Sequence, residues 1–450
     1  MSEIRAGFAR ECITPPLGDP ISGYYIQRFT KGVIDDLYAT AVAFDDGKNK
    51  SVVIAVDVIM IKVDMCNEYR KFIADYCGIP FECVFINASH THTGPMLGKD
   101  FASELYGSKH YEEFLGIKMR DAAAYALADL QPAKMYSARG EAKNISFIRR
   151  YRMKDGSVQT NPGVNNPNID HALGTPNETV KLLKLVRECA EDIYIVNFGT
   201  HPDTVGGDYI SADYPGYVCS TVEGAIPDVK CMFLLAPQGD VNHVNTNPTE
   251  GFKNGLHDTF DGCPRGIEHA KYMGRVIAGA VLQICDKADA VTSGDVKYIE
   301  KTVVIPSNQD NGRLEEAKKI VELHESGREA EIGYDAMELT TVVAEAHRIV
   351  ELENGPESFS YAITAIKIGD MAFVGIPGEP FTELANRIYE ASPFAETILC
   401  CCTNGGDTYF PASSAYDEGG YEARTSRLKK GGDNIVVNGV LDMLNELKNM

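Results

Sequence analysis

The sequence predicts an α/β protein with a mixed β-sheet core flanked by helices, and three observations carry that expectation. Short apolar runs rich in β-branched residues recur along the chain, helices of amphipathic spacing alternate with them, and the runs end in Gly/Pro turns that carry polar groups. Residues 38–44 (YATAVAF), the turn Asp45-Asp46-Gly47 and residues 51–56 (SVVIAV) read as a hairpin. Further runs lie at 83–86 (CVFI), 193–197 (IYIVN), 231–235 (CMFLL), 361–366 (YAITAI), 371–374 (MAFV) and 397–400 (TILC). Their near-continuous apolarity suits strands covered on both faces. Between them, Leu115, Met119, Ala122, Ala126 and Leu130 recur at helical spacing within 111–130, and 267–285 is a second long helix with an apolar side. Residues 314–355 are dense in charge and periodic, which predicts a peripheral helical pair. With no internal repeat and no linker of Pro, Gly and Ser, the chain reads as one domain over 1–450 with a helical insertion at 312–355.

Composition narrows the function. A chain of 450 residues with 44% hydrophobic and 24% charged residues can bury a large core, which argues against disorder. Sixty-four acidic against forty-three basic side chains give a net charge of −21, so a phosphate backbone or an anionic membrane is repelled. The expected partner is a small-molecule substrate, with no nucleic acid and no stable membrane association. The first residues carry no basic start followed by an apolar run, and no apolar stretch of about 18 residues occurs, so a soluble cytoplasmic protein is expected. The twelve cysteines form no CxxC pair and sit mostly in apolar segments, as reduced packed thiols do. A metal, if held, should therefore take nitrogen and oxygen ligands.

Five strand ends carry the polar groups. His90-Thr-His92-Thr-Gly94-Pro95 follows 83–86, and Thr200-His201-Pro202-Asp203 follows 193–197. Gln238-Gly239-Asp240-Val-Asn242-His243 follows 231–235, Pro377-Gly378-Glu379-Pro380 follows 371–374, and 403–409 (TNGGDTY) follows 397–400. In α/β proteins, loops at strand carboxyl ends converge on a site while the sheet holds them rigid. His90 and His92 alternate by two: they are either a hydrogen-bonded pair at a sheet edge or, diverging in a tight turn, one metal ligand and one proton-transfer group. Read singly, His201 is a loop histidine and Glu379 is a first-turn carboxylate of the helix that follows. Three strand ends can thus supply two histidines and a glutamate, the donor set zinc takes at about 2.0–2.2 Å with a position left for water or substrate. Zinc brings the pKa of such a water towards ~7, so the chemistry would be hydrolytic. The GxSxG, HExxH, P-loop and GxGxxG patterns are absent.

His-Thr-His-Thr-Gly-Pro, Thr-His-Pro, Gln-Gly-Asp-Val, Pro-Gly-Glu-Pro-Phe-Thr and the tyrosine-rich segment 404–423 occur in an order that resembles the catalytic amino-terminal domain of the neutral/alkaline, non-lysosomal ceramidases. Ala6-Gly-Phe-Ala9, Ile13-Thr-Pro-Pro16 and Asp57 look like that family's start, so the resemblance spans nearly the whole length. It implies one zinc ion per chain bound by His90, His201, Glu379 and Tyr409, with His92 as the proton-transferring histidine. Asn404, Tyr409, Tyr416 and Tyr421 match the family's spacing, with Tyr421 where a phenol donates to the substrate carbonyl oxygen. Arg149 or its neighbour Arg150 falls where the family has an arginine near the substrate.

The chain departs from that pattern after Gly-Asp-Val, where Asn242 stands in place of the family's serine and His243 in place of proline. Asparagine has no hydroxyl nucleophile; metal-activated water survives the change and a serine-acyl mechanism does not. Asn242 is expected to position substrate through its amide, and Asp240 to orient a ligand histidine. The family's carboxyl-terminal β-domain and secretory signal are not expected here, which turns the reading from ceramide towards an amide in a small or polar substrate. Rival readings are another metal-dependent ester, lactone or phosphate hydrolase, an amidohydrolase in which His90 and His92 are both ligands, and a non-catalytic ligand-binding homologue. Residues 150–168, polar and turn-rich, are expected to form a loop over the pocket, and Asp208, Asp213 and Tyr214 to cap the helix that follows. His110, His171, His257, His269, His324 and His347 receive no role.

Overall fold

The computed structural model describes residues 4–99, 105–248, 266–292, 294–406 and 408–450. Two sheets lie face to face because their strands alternate in what they bury. Val42, Phe44, Val53, Ile195 and Leu234 from the first sheet meet Ile366, Phe373 and Ile398 from the second in one apolar layer. The alternate residues Ala41, Val52, Ile54 and Val196 point the other way, onto helices carrying Cys66, Leu115, Met119, Val218 and Ile277. On the far side of the second sheet, Ile363, Val374 and Leu399 pack on Leu384, Ile388, Val440 and Leu444. The order of layers is helices, sheet, sheet, helices, the α/β class the sequence predicts.

The first sheet has 9 strands in the order Val229–Leu235, Asp192–Phe198, Thr179–Arg187, Gln131–Glu141, Arg5–Cys12, Tyr38–Asp45, Lys50–Val56 and Val84–Ala88, with Asp289–Ala290 beside Gln131–Glu141. The second has 4, in the order Val296–Pro306, Ser358–Ile368, Met371–Gly375 and Glu396–Cys400. Three pairs are parallel: Lys50–Val56 with Val84–Ala88, Asp192–Phe198 with Val229–Leu235, and Met371–Gly375 with Glu396–Cys400. Each is joined by one long helix, Val63–Cys77, Asp213–Ala225 and Thr382–Ala391 respectively. The five strand-end motifs singled out in the sequence all leave the carboxyl end of a strand in one of these three units. Two buried asparagines stitch the ends together. Asn87 accepts from the Leu235 N–H (2.9 Å) and donates to Cys401 O (2.6 Å), while Asn197 donates to Leu234 O (3.0 Å) and Leu399 O (3.2 Å).

The predicted hairpin pairs antiparallel from Ala39–Val56 to Asp45–Lys50, and the two long helices run Lys109–Ala128 and Ile267–Ile284. The helical pair is present as Leu314–Glu325 and Ala336–Glu351. The second of these does more than cover a surface. Glu345 pairs with Arg424 (2.7 Å) and Arg348 donates to Arg424 O (2.8 Å), so it braces the turn that carries Tyr421. One expectation is corrected: 150–168 is no loop. Arg150–Met153, Val158–Thr160 and Ile169–Ala172 form a 3-stranded antiparallel sheet, with the Asn- and Pro-rich stretch as its turns. No helix among the described residues is long and apolar enough to cross a membrane.

Candidate metal centre

His90 follows the Val84–Ala88 strand in the left-handed region (φ 64°), held by its N–H to Val58 O (2.9 Å). That twist turns its ring away from the sheet edge, and Nδ1 lies 2.7 Å from Ile59 O, a pure acceptor, so Nδ1 carries a proton and Nε2 faces inward. His201 comes from the neighbouring unit through Gly199, where a Cβ would lie 2.4 Å from Pro237 O; only glycine lets the two turns meet. Glu379 comes from the third unit. Its backbone lies so close to Gly239 that a Cβ there would stand 2.5 Å from Glu379 O.

These choices bring three donor atoms together. Nε2 of His90 and Nε2 of His201 are 3.3 Å apart, and Oε2 of Glu379 lies 3.4 Å from the first and 3.7 Å from the second. Ligands at about 2.0–2.1 Å from one tetrahedral ion stand roughly 3.3–3.4 Å apart, so the triangle has the dimensions of one face of such a site. Gln238, unassigned by sequence reasoning although its fragment was singled out, donates to Glu379 Oε2 (3.1 Å) and fixes that carboxylate. His92 joins more loosely: the ring nitrogens of His90, His92 and His201 lie within 4.8 Å of one another.

The charges agree with the geometry. Burial opposes ionisation of His90, yet the neighbouring Glu379 outweighs it and holds the imidazole well above its ordinary value. Burial likewise opposes the Glu379 carboxylate, and His90 pulls it down to about 2. Burial lowers His201 to about 3, with Arg149 and His90 adding to the effect. A proton on His90 thus balances the Glu379 carboxylate, the charge that a cation beside them would supply instead. His92 is lowered well below its ordinary value by burial, then by His90 and His201, so it is neutral at pH 7. Both of its ring nitrogens are buried and make no hydrogen bond.

A cavity of ≈ 190 Å³ opens on this group, walled in part by His90, His92, Glu379, Tyr409 and Tyr421. Tyr409 pairs with Glu379 across a short parallel bridge, and its ring meets Tyr421 at 5.7 Å between centroids. Burial pushes Tyr421 up to about 12 and raises Tyr409 well above the ordinary phenol value, so both keep their protons at neutral pH.

Arg149 stands behind that wall: it donates to Glu422 Oε1 (2.6 Å), Gly239 O (2.8 Å) and the Tyr409 hydroxyl (3.2 Å). Arg150 faces away, towards Glu418 and Gly419 O. Asn242 is also outside the described wall, and its amide is engaged at both ends, donating to Asn161 (3.2 Å) and accepting from the Val244 N–H (3.0 Å). Asn404 and Tyr416 are braces: Asn404 accepts from the Ile86 N–H (2.8 Å) and Tyr416 donates to Leu428 O (2.7 Å).

Asp240 orients no histidine among the described residues. Its Oδ1 accepts from the Thr382 N–H (2.7 Å) and hydroxyl (2.8 Å), anchoring the start of the helix after Glu379. Asp203 instead pairs with His243 (3.0 Å), against which His269 packs. Asp213 opens its helix in the left-handed region (φ 56°) and accepts from the Val205 N–H (2.7 Å), tying down the turn after His201; Asp208 pairs with Lys31 at the surface. The ring Nδ1 atoms of His171 and His324 lie 2.8 Å from Asp170 Oδ2 and 2.6 Å from Glu329 Oε1. Asp407 of the 403–409 motif, His257 and Cys263 lie outside the described residues. Sequence reasoning also missed Glu422, the fully buried carboxylate that holds Arg149 and Thr160. A glutamate after Tyr421 was the available signal.

No protein-family model matches the chain, and no curated protein matches it. Solved structures do, two ceramidases among them. The neutral ceramidase from Pseudomonas aeruginosa superposes with a TM-score of 0.75 at 17% identity, over 100% of this chain and 75% of that one. A ceramidase complexed with C2 gives 0.74 at 16% identity, over 100% and 76%. The chain has a neutral ceramidase-like fold over its whole length.

Proposed function

We propose that this protein is a zinc-dependent hydrolase that cleaves an amide bond in a small or polar substrate with metal-activated water. The observation that carries the reading is the triangle of His90, His201 and Glu379, whose edges of 3.3, 3.4 and 3.7 Å suit one tetrahedral ion. Tyr409, beside Glu379 on the cavity wall, would be a further ligand in this reading, expanding the site to five positions so that one stays open to water. When bound, zinc supplies Lewis acidity, polarising a carbonyl and bringing the pKa of a water towards ~7.

The chain's own residues do the rest. His92, neutral and with both ring nitrogens unengaged, takes the proton of the attacking water and passes it to the departing amide nitrogen. Tyr421 donates its phenolic hydrogen to the carbonyl oxygen as charge develops there. Arg149 holds the Tyr409 hydroxyl in place from behind. Asn242, committed to Asn161 and Val244, leaves the nucleophile to water. The likeness in fold to ceramidases supports amide cleavage, while a cavity of ≈ 190 Å³ falls below the ~300–1,000 Å³ that holds drug-sized ligands, which disfavours ceramide. The net charge of −21 disfavours nucleic acid and anionic membranes as partners, and described cysteines that are all free thiols suit the cytoplasm.

A three-histidine ligand set is the second reading, favoured by the 4.8 Å grouping of His90, His92 and His201. Metal analysis of the purified His92→Ala variant separates the two. Retained zinc with lost turnover on a panel of small amides and esters supports the proposal; lost zinc supports the three-histidine set.

A further inference from the structure

The two phenols of the cavity wall come from separate segments, yet one carboxylate stands behind both. Glu422 is fully buried, and each of its oxygens leads to a different tyrosine. Oε1 accepts from Arg149 Nε (2.6 Å), and the same guanidinium donates to the Tyr409 hydroxyl (3.2 Å). Oε2 accepts from the Thr160 hydroxyl (3.0 Å), whose oxygen in turn accepts the Tyr421 N–H (3.2 Å). Arg149 and Thr160 are buried as well, so bulk water does not compete for these bonds. The chain around Tyr421 needs such a hold. Gly419 and Gly420 precede it at φ 89° and 94°, a permissive entry that leaves its place to whatever grips the residues beyond. On the outer side, Glu338 and Glu345 grip Arg424 (both 2.7 Å); on the inner side the grip is Thr160, the last residue of the Val158–Thr160 strand. Arg150 Nε lies 3.9 Å from Glu422 Oε2, and its guanidinium donates instead to Glu418 and Gly419 O.

We propose that Glu422 is a positioning residue for the hydrolysis, tethering the Tyr409 hydroxyl through Arg149 and Tyr421 through Thr160 so that the two phenols keep one separation across the cavity. The proposal rests on the hydrolase reading and deepens it with a residue that touches neither substrate nor metal. Through Arg149 it governs how firmly the phenol beside Glu379 meets an ion; through Thr160 it governs where the Tyr421 hydroxyl meets the carbonyl oxygen. A carboxylate suits both arms because it accepts at each oxygen. Glutamine keeps the size but offers one acceptor, so its N–H2 must face either Arg149, which only donates, or Thr160. Displacing a reacting group by about 1 Å is enough to cost ~100-fold, and groups that orient a ligand from behind are worth ~10- to 100-fold in metal affinity or activity.

The test uses the full chain, with zinc affinity read by chelator competition and turnover on whichever small amide the native chain cleaves. Glu422→Gln should weaken zinc binding and lower kcat, each roughly tenfold, with KM little changed. Thr160→Val should lower kcat alone. Glu418→Gln, on the neighbouring helix, should change neither. Two double-mutant cycles then ask through which group each effect passes. In a Tyr409→Phe background Glu422→Gln should change zinc affinity less than about twofold, and in a Tyr421→Phe background Thr160→Val should change kcat less than about twofold. Full-sized effects in those backgrounds, or a Glu422→Gln chain with native affinity and kcat, overturn the proposal. Should Glu422→Gln fail to fold, the Thr160→Val cycle decides alone. If the native chain neither binds zinc nor cleaves an amide, the hydrolase reading fails, and crystal structures still decide the tether. A Tyr409–Tyr421 centroid distance moved from 5.7 Å in Thr160→Val upholds it, and an unmoved pair overturns it.

Discussion

His92 is the residue on which the chemistry turns, since it alone in the group combines a neutral ring with two unengaged nitrogens. Replacing it by alanine should cut kcat roughly 100- to 10,000-fold, the usual worth of a positioned acid-base group, with zinc content unchanged by elemental analysis. Tyr421→Phe removes one hydrogen-bond donor and keeps the ring against Tyr409, so kcat should fall roughly 100- to 1,000-fold in steady-state assays with no change in bound zinc. These residues were legible in sequence because short motifs at strand ends pointed to them. Gln238 was not: it acts only through a partner distant in the chain, and nothing local in sequence announces that it holds Glu379. The misreading of Asp240 has the same origin, since its acceptor site is filled by Thr382, 142 positions away.

At the scale of elements, three parallel crossover units account for the site, and the helices that join them set its rigidity. Asp240 anchors the first turn of Thr382–Ala391, immediately after Glu379. Asp240→Ala should cost about 1–2 kcal/mol in urea denaturation, the usual range for a lost cap, and should weaken zinc binding as Glu379 loosens. The strands with near-continuous apolar sequence were visible at once, because burial on both faces leaves a signal with no periodicity to resolve. Gln131–Glu141 and Thr179–Arg187 were not, since both mix polar and charged residues into a partly exposed middle of the sheet. The small sheet at 150–172 was hidden for another reason: strands of three or four residues among Asn, Pro and Gly carry no period to detect.

Taken whole, the molecule buries ionisable groups beside its apolar layers, and pH and metal both report on them. Burial pushes Asp57 up to about 6, with only partial relief from the Tyr38 N–H. Its folded value is above the ordinary one, so its contribution to stability is fully present below about pH 4 and is lost as pH rises through 6. Asp57→Asn should therefore flatten the fall in unfolding free energy between pH 4.5 and 7.5, gaining roughly 1–2 kcal/mol over the native chain at the upper end. Zinc that binds only the folded chain should add about 2.7 kcal/mol when free zinc is 100 times its Kd, and His90→Ala should abolish that gain in thermal denaturation with and without chelator.

The central claim is that three crossover units meet around one ion. A crystal structure of the zinc-loaded chain with anomalous data at the zinc edge tests it most directly. The account predicts a single peak within bonding distance of His90 Nε2, His201 Nε2 and Glu379 Oε2, with His92 outside it. A peak bonded to His92 but not to Glu379, or no peak at the triangle in zinc-saturated crystals, contradicts it.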